Sequence, residues 1–485
     1  MGKLSHLEPN TIWNYFEEIC QVPRPSKKEE KIIQFLLDFA EKNELEAKKD
    51  HIGNVLIKKP ASKGIENLKS VVLQSHIDMV CEKNSDTKFN FDTDAIKPIV
   101  DGEWVKAEGT TLGADDGIGI AAQMAILASD NIEHGPIECL FTVDEETGLT
   151  GAFELKEGFF DSRILLNLDS EDEGELFIGC AGGVDTIAEF PFLYESTPKN
   201  GFAFKVTVTG LKGGHSGDDI EKGLGNANKI LTRYLWEMQR DCEMRLSSID
   251  GGNLRNAIAR EATAICVVPS KYKEQSRISL NILFHDVQME LKTTEPQLRM
   301  KLESVDLPAK VINQEAQNNL LNALYACPHG VMVMSRDIEG LVETSTNLAS
   351  VKMNTDVILV TTSQRSSVES SKDDIAQMVE SVFTLAGAEV RHTDGYPGWT
   401  PNTDSEILKV TKDSYIKLFD KEPLVRAIHA GLECGLFLEK YPGMDMISFG
   451  PTIKGAHSPD ERINIETVQK FWDHLLDVLK NIPEE

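Results

Sequence analysis

Residues 111–130 read TLGADDGIGIAAQMAILASD. From Ile118 to Ala128 the apolar residues fall almost all round a 3.6-residue period, which predicts a helix buried on every side rather than on one stripe. Such a helix needs a covered surface to lie against, and the neighbouring sequence supplies one. The runs NVLIKK (54–59), VVLQSHID (71–78), IECLFTVDEE (137–146), RILLNLDS (163–170) and ELFIGCAG (175–182) are short strands, several too uniformly apolar for a half-exposed sheet. Uniformly apolar strands alternating with helices predict an α/β fold with a central sheet covered on both faces.

The chain has 485 residues, more than one ordinary core holds, so two or more domains are expected. Residues 8–45 read as helical. Near residue 183 the texture changes: FAFKVTVTG (202–210), ATAICVVP (262–269), RISLNILF (277–284) and VILVTTS (357–363) alternate, as strands of an antiparallel sheet with helices on one face do. DGYPGWTPN (394–402) reads as a linker. LVRAIHAGLECGLFLEKY (424–441), MDMISFGP (444–451) and the helix NIETVQKFWDHLLDVLKN (464–481) return to the first style. The simplest organisation is an α/β domain, residues 1–182 and 399–485, interrupted by an inserted α+β domain, residues 183–398.

Acidic residues outnumber basic ones 78 to 50, giving a formal charge of −28. That field repels phosphate backbones and anionic lipid, so neither nucleic acid nor a membrane is an expected partner. No stretch approaches the ~18 apolar residues of a membrane helix, and the N-terminus does not read as a secretion signal. The eight cysteines are scattered with no C-x-x-C pair, the pattern of reduced thiols in a cytoplasm. Any metal would therefore take histidine and carboxylate ligands.

Polar groups recur where apolar strands end. His76 and Asp78 close one, Glu145 and Glu146 another and Asp169 a third; His457 lies in a loop after the last. Ligand sites of open α/β sheets lie at the carboxyl ends of strands, so these groups are candidates to converge. Each has a bland alternative: solvated charge, a loop histidine, or, for Asp115 and Asp116, a helix cap favourable by up to about 1 kcal/mol. As a set they amount to two imidazoles and at least four carboxylates, more negative charge than one cleft holds without cations. Two zinc-like divalent ions suit such a set better than one.

SHIDMV (75–80), TLGADDGIGIA (111–121), TVDEETG (142–148), NLDSE (167–171) and GAHSPDE (455–461), in this order, resemble the co-catalytic di-zinc metallopeptidases. GADDGIGIA with CAGG (180–183) and GLKGGHSGDDI (210–220) resembles in particular the aminoacyl-histidine dipeptidase branch, also called Xaa-His or cytosol non-specific dipeptidases, over nearly the whole chain. The resemblance implies a catalytic domain with a central mixed sheet, an inserted lid or dimerisation domain, and two Zn2+ per chain, with Mn2+ or Co2+ as substitutes. It makes Asp115 the carboxylate bridging both ions, with His76 and Asp169 completing one and Glu146 and His457 the other. It makes Asp78 the group orienting His76, and Glu145 the general base. It also implies a cis peptide between Asp115 and Asp116. His215 resembles a lid histidine that stabilises the oxyanion. Asn256 resembles a substrate-contacting residue, Arg365 a carboxylate-binding one, and Gly431 and Glu433 lie where relatives line the pocket. Relatives in which the lid histidine crosses from a partner subunit leave open a homodimer, and whether His215 acts within its own chain.

The implied activity is metal-dependent hydrolysis of dipeptides, Xaa-His and β-Ala-His among them, by a water activated at Glu145. The alternatives are an N-acyl amino-acid deacylase or tripeptide aminopeptidase with the same metals. More remote are a phosphorylated receiver-like domain, which leaves His76, Glu146 and His457 without a role, and a non-catalytic binding protein.

Overall fold

The computed structural model describes residues 4–485. They divide into two compact units, residues 4–179, 399–427 and 432–485 forming one and residues 180–398 with 428–431 the other.

The first unit is built on a mixed eight-stranded sheet in the order Glu46–Lys49, Val55–Lys59, Ile137–Thr142, Val71–His76, Ile164–Asn167, Asp445–Ser448, Glu175–Cys180, Leu424–Ile428. Ile137–Thr142, Val71–His76, Ile164–Asn167 and Asp445–Ser448 run parallel to one another. Every residue of the first three is buried, as a parallel sheet covered on both faces requires. The opening stretch forms the helix Ala114–Ala128, whose side chains are buried from Ala114 to Leu127. It packs on Val71–His76 and on the helix Asn10–Ile19. Four parallel strands point their carboxyl ends the same way, and each is followed directly or by a loop by one of the expected site residues.

The second unit holds an antiparallel nine-stranded sheet whose main path is Arg299–Ser304, Gly201–Thr209, Ala262–Pro269, Arg245–Gly251, Val342–Met353, Val357–Ser366, Gly182–Pro191, Glu389–His392. Alternate residues such as Phe204, Val206 and Val208 join one core with Leu231, Leu280, Leu320 and Val379 of its four long helices. One strand reading is corrected here. RISLNILF lies inside the helix Lys273–Glu290, where Leu280, Leu283 and Val287 are buried while Ile278 and Ile282 are exposed. Its alternation fits a strand equally well, but it lies within an 18-residue segment with a 3.6-residue burial period.

No helix among the described residues is long and apolar enough to cross a membrane.

Candidate active site

His76 is the last residue of its strand and is 1% exposed. Its Nε2 lies 3.0 Å from Asp115 Oδ1 and 3.5 Å from Asp169 Oδ1, while Nδ1 faces Asp78 Oδ1 at 3.3 Å. Asp78 serves the next strand as well: Oδ1 accepts the Glu145 amide at 3.0 Å, and Oδ2 accepts the Glu146 amide at 3.2 Å and the Ser26 hydroxyl at 2.7 Å. A single buried carboxylate thus faces the imidazole and sets the backbone of both glutamates.

Asp115 sits in a turn that the helix cannot continue through. Gly113 is left-handed at φ +70°, Asp115 is extended, and the Asp115–Asp116 peptide is cis. The two aspartates part company there. Asp116 Oδ1 accepts the Gly119 amide at 3.1 Å, a helix cap. Asp115 instead faces the site, Oδ1 toward His76 and Oδ2 3.2 Å from His457 Nε2. His457, itself left-handed at φ +63°, also lies 3.0 Å from Glu146 Oε2.

Two triads result, His76–Asp115–Asp169 and Asp115–Glu146–His457, each with ligand atoms within 4.8 Å of one another and with Asp115 common to both. Burial alone would lower the basicity of His76, yet Asp169, Asp115 and Asp78 hold it well above its usual value. Hydrogen bonds to Asp115 and Glu146 push His457 up to about 11. Burial works against the charge of Asp115, but His457 and His76 hold its carboxyl well below the usual range. Burial, with Asp115 beside it, raises Asp169. A buried Glu146 oxygen, Oε1, has no hydrogen-bond partner. Imidazole and carboxylate donors in this arrangement fit divalent ions of the zinc type.

Glu145 stands beside this cluster, its carboxyl raised well above the usual range by burial and then by Asp169, Glu433 and Glu146. Glu433 is 1% exposed, and its Oε2 accepts from Gln74 Nε2 at 2.6 Å and Thr142 Oγ1 at 2.7 Å. It therefore joins the strand that ends at His76 to the strand that leads into Glu145.

The remaining expected residues lie on the second unit. The His215 amide donates to Asp219 Oδ2 at 2.7 Å, and its Nδ1 accepts the Gly217 and Asp218 amides at 3.3 and 3.2 Å. Nδ1 also lies 3.3 Å from Asp218 Oδ2. Asn256 is exposed, and its carbonyl accepts the Ser216 amide at 2.8 Å. Arg365 is 7% exposed, donates to Tyr396 Oη at 2.9 Å and leaves Nε without a partner. Gly431 abuts the same tyrosine, a Cβ there falling 2.7 Å from the ring. Opposite Arg365 in the ladder is Ser345, which pairs with His429 Nε2 at 2.7 Å. Tyr396, Ser345 and His429 are absent from the sequence reading. Tyr396 falls in the linker, and no spacing ties the other two to Arg365.

A model of "Peptidase family M20/M25/M40" matches residues 72–481, a span that holds all the groups of the two triads. The chain belongs to this peptidase family. Among its M20 relatives is the cytosol non-specific dipeptidase of Escherichia coli K12, 44% identical over 483 residues and covering all of both chains. The aminoacylhistidine dipeptidase of Vibrio alginolyticus superposes with a TM-score of 0.93 at 46% identity, over 100% of this chain and 99% of that one. The aminopeptidase PepT of Bacillus cereus shares the fold, with TM-score 0.58 at 16% identity over 98% of this chain and 99% of that one.

Proposed function

We propose that this M20 peptidase is a metal-dependent dipeptidase, with Xaa-His dipeptides, β-Ala-His included, among its substrates. The observation that carries the reading is the pair of histidine–carboxylate triads sharing Asp115, in a chain 44% identical end to end to a dipeptidase. We assign His76, Asp115 and Asp169 to one ion and Asp115, Glu146 and His457 to the other, both zinc, with Mn2+ or Co2+ able to substitute. Such ions, when bound, polarise the scissile carbonyl and make a water acidic enough to lose a proton near neutral pH.

The chain's own groups do the rest. Glu145, made more basic by burial and neighbouring carboxylates, takes a proton from the attacking water and delivers it to the amine as the C–N bond breaks. Asp78 keeps His76 and the Glu145 amide in place. On the second unit, Arg365 is the group for the dipeptide's terminal carboxylate: a buried guanidinium with a free Nε–H suits a planar anion. His215 is the imidazole that stabilises the oxyanion, from its own chain or a partner's. Asn256 and Gly431 contact substrate, and Glu433 acts from behind the strand ends. The eight cysteines are free thiols, which supports a cytoplasmic location.

The test is amino-acid release from Gly-His, β-Ala-His, Leu-Leu, a tripeptide and an N-succinyl amino acid, with and without chelator and added zinc. Zinc-restored cleavage of the dipeptides is expected. Turnover of the tripeptide or the succinylated compound alone would sink the dipeptidase assignment and leave the metal site standing.

A further inference from the structure

Two fully buried side chains of opposite charge grip the turn that carries Asp115, and neither belongs to a triad. Arg24, 3% exposed, lies between the helices Asn10–Ile19 and Glu30–Lys42. Its Nη1 donates to the carbonyls of Ile77 at 3.1 Å and Asp78 at 2.6 Å, and its Nη2 donates to the carbonyl of Gly113. The sequence clears space for it. A Cβ at Gly113 would lie 2.6 Å from Nη2, and one at Gly117 2.7 Å from it.

Glu461 is 2% exposed and works from the other direction. Its Oε2 accepts the amides of Leu112 at 2.7 Å and Gly113 at 2.9 Å; its Oε1 accepts those of Ala114 at 2.7 Å and Asp115 at 3.3 Å. Four successive amides at the start of a helix thus close on one carboxylate, a charge-assisted cradle favoured by the helix dipole. Gly113 is held twice, by its N–H to Glu461 and by its carbonyl to Arg24.

The two anchors lead to different halves of the site. Arg24 ties the turn to Ile77 and Asp78, the residues that follow His76. Glu461 ties it to the loop of His457, a tight turn in which the Glu461 amide donates to Ser458 O at 3.0 Å and Ser458 Oγ to Gly455 O at 2.7 Å.

We propose that Arg24 and Glu461 are opposed positioning residues that hold Asp115 between the two triads, each governing the ion on its own side: Arg24 the His76–Asp169 ion, Glu461 the His457–Glu146 ion. The proposal rests on the two-ion reading above. It differs from a capping or core role in being site-selective.

The experiment measures zinc at each site by anomalous diffraction and competition titration, in the full-length wild type, Glu461→Gln and Arg24→Lys. Glutamine keeps one acceptor but turns the other oxygen into a donor facing amides. Lysine keeps the charge but cannot span both sets of carbonyls. Glu461→Gln is expected to weaken the His457–Glu146 ion about ten-fold or more while the other ion stays within about three-fold, and Arg24→Lys to do the reverse. In both variants kcat should fall with KM nearly unchanged, and the metal-free proteins should unfold close to the wild type. Should either variant not fold, the other carries the test. Equal weakening of both ions, or an earlier unfolding with both affinities intact, would overturn the inference and leave the functional reading in place. A wild type that retains no zinc would overturn both.

Discussion

The two triads use the same chemistry on different mechanical supports. His76 ends a fully buried strand at 1% exposure, whereas the His457 side chain is 56% exposed on a loop and in a left-handed backbone. Asp169 follows a buried strand, while Glu146 is the second residue of a four-residue helical turn whose first two amides lean on Asp78. One half-site is therefore set by the sheet and the other by hydrogen bonds between loops. The difference teaches that the type of donor alone says little about how a site is held: a loop-borne side chain needs its own anchor, the role proposed above for Glu461.

The largest effect should erase the comparison altogether. Asp115→Ala removes the carboxylate that faces both histidines, so neither ion should be retained and dipeptide hydrolysis should fall to background. Metal analysis after dialysis checks this, and retention of either ion would show that the triads do not depend on a shared ligand. Next comes Glu145→Gln, which should leave both triads loaded and lower kcat by about 10²–10⁴-fold. Near-normal turnover would remove Glu145 from its role.

A third pair of variants separates the supports. His76→Ala leaves Asp78, Asp115 and Asp169 around a buried gap, and should destabilise the metal-free protein by about 3–5 kcal/mol. His457→Ala, on a side chain that is 56% exposed, should cost the metal-free protein less stability than His76→Ala, through its lost pairs with Asp115 and Glu146, while one ion is lost. Denaturant unfolding of the two apo variants compares them, and equal stability losses would contradict the contrast.

The smallest effect lies away from the site. His474 is 3% exposed, packs against Phe449 and Tyr415, and bonds Thr411 O at 2.8 Å; burial pushes it down to about 4. An unfolded histidine titrates near 6.5, so the native state refuses a proton that the unfolded chain accepts. The contribution is therefore fully present above about pH 6.5 and lost as pH falls toward 4. The stability advantage of wild type over His474→Gln should shrink across that window, and a pH-independent difference would refute the linkage.

Much of this was legible from one dimension. Uniformly apolar strands ending in His76, Glu145 and Asp169 announce a covered sheet with chemistry at its carboxyl edge, because parallel strands must all deliver their ends to one side. The segment 277–284 was not legible as helix, because over eight residues its alternation suits a strand as well as a helix. Nor did any signal single out residues 428–431, which group with the second unit although the flanking residues group with the first. Arg24 and Glu461 were illegible for a different reason. Their partners are main-chain carbonyls and amides, which carry no residue identity for a sequence to display.

By itself, then, the sequence determined the α/β class, the family resemblance and the types of donor available, since these follow from hydrophobic period and from which side chains close each strand. The tertiary structure alone decided which carboxylate faces which imidazole, that Asp116 caps a helix while its neighbour Asp115 faces two histidines, and what holds that turn still. Those outcomes depend on the side chains of Arg24 and Glu461 meeting the peptide groups around Gly113, and side-chain-to-backbone hydrogen bonds across such separations exist only once the chain has folded.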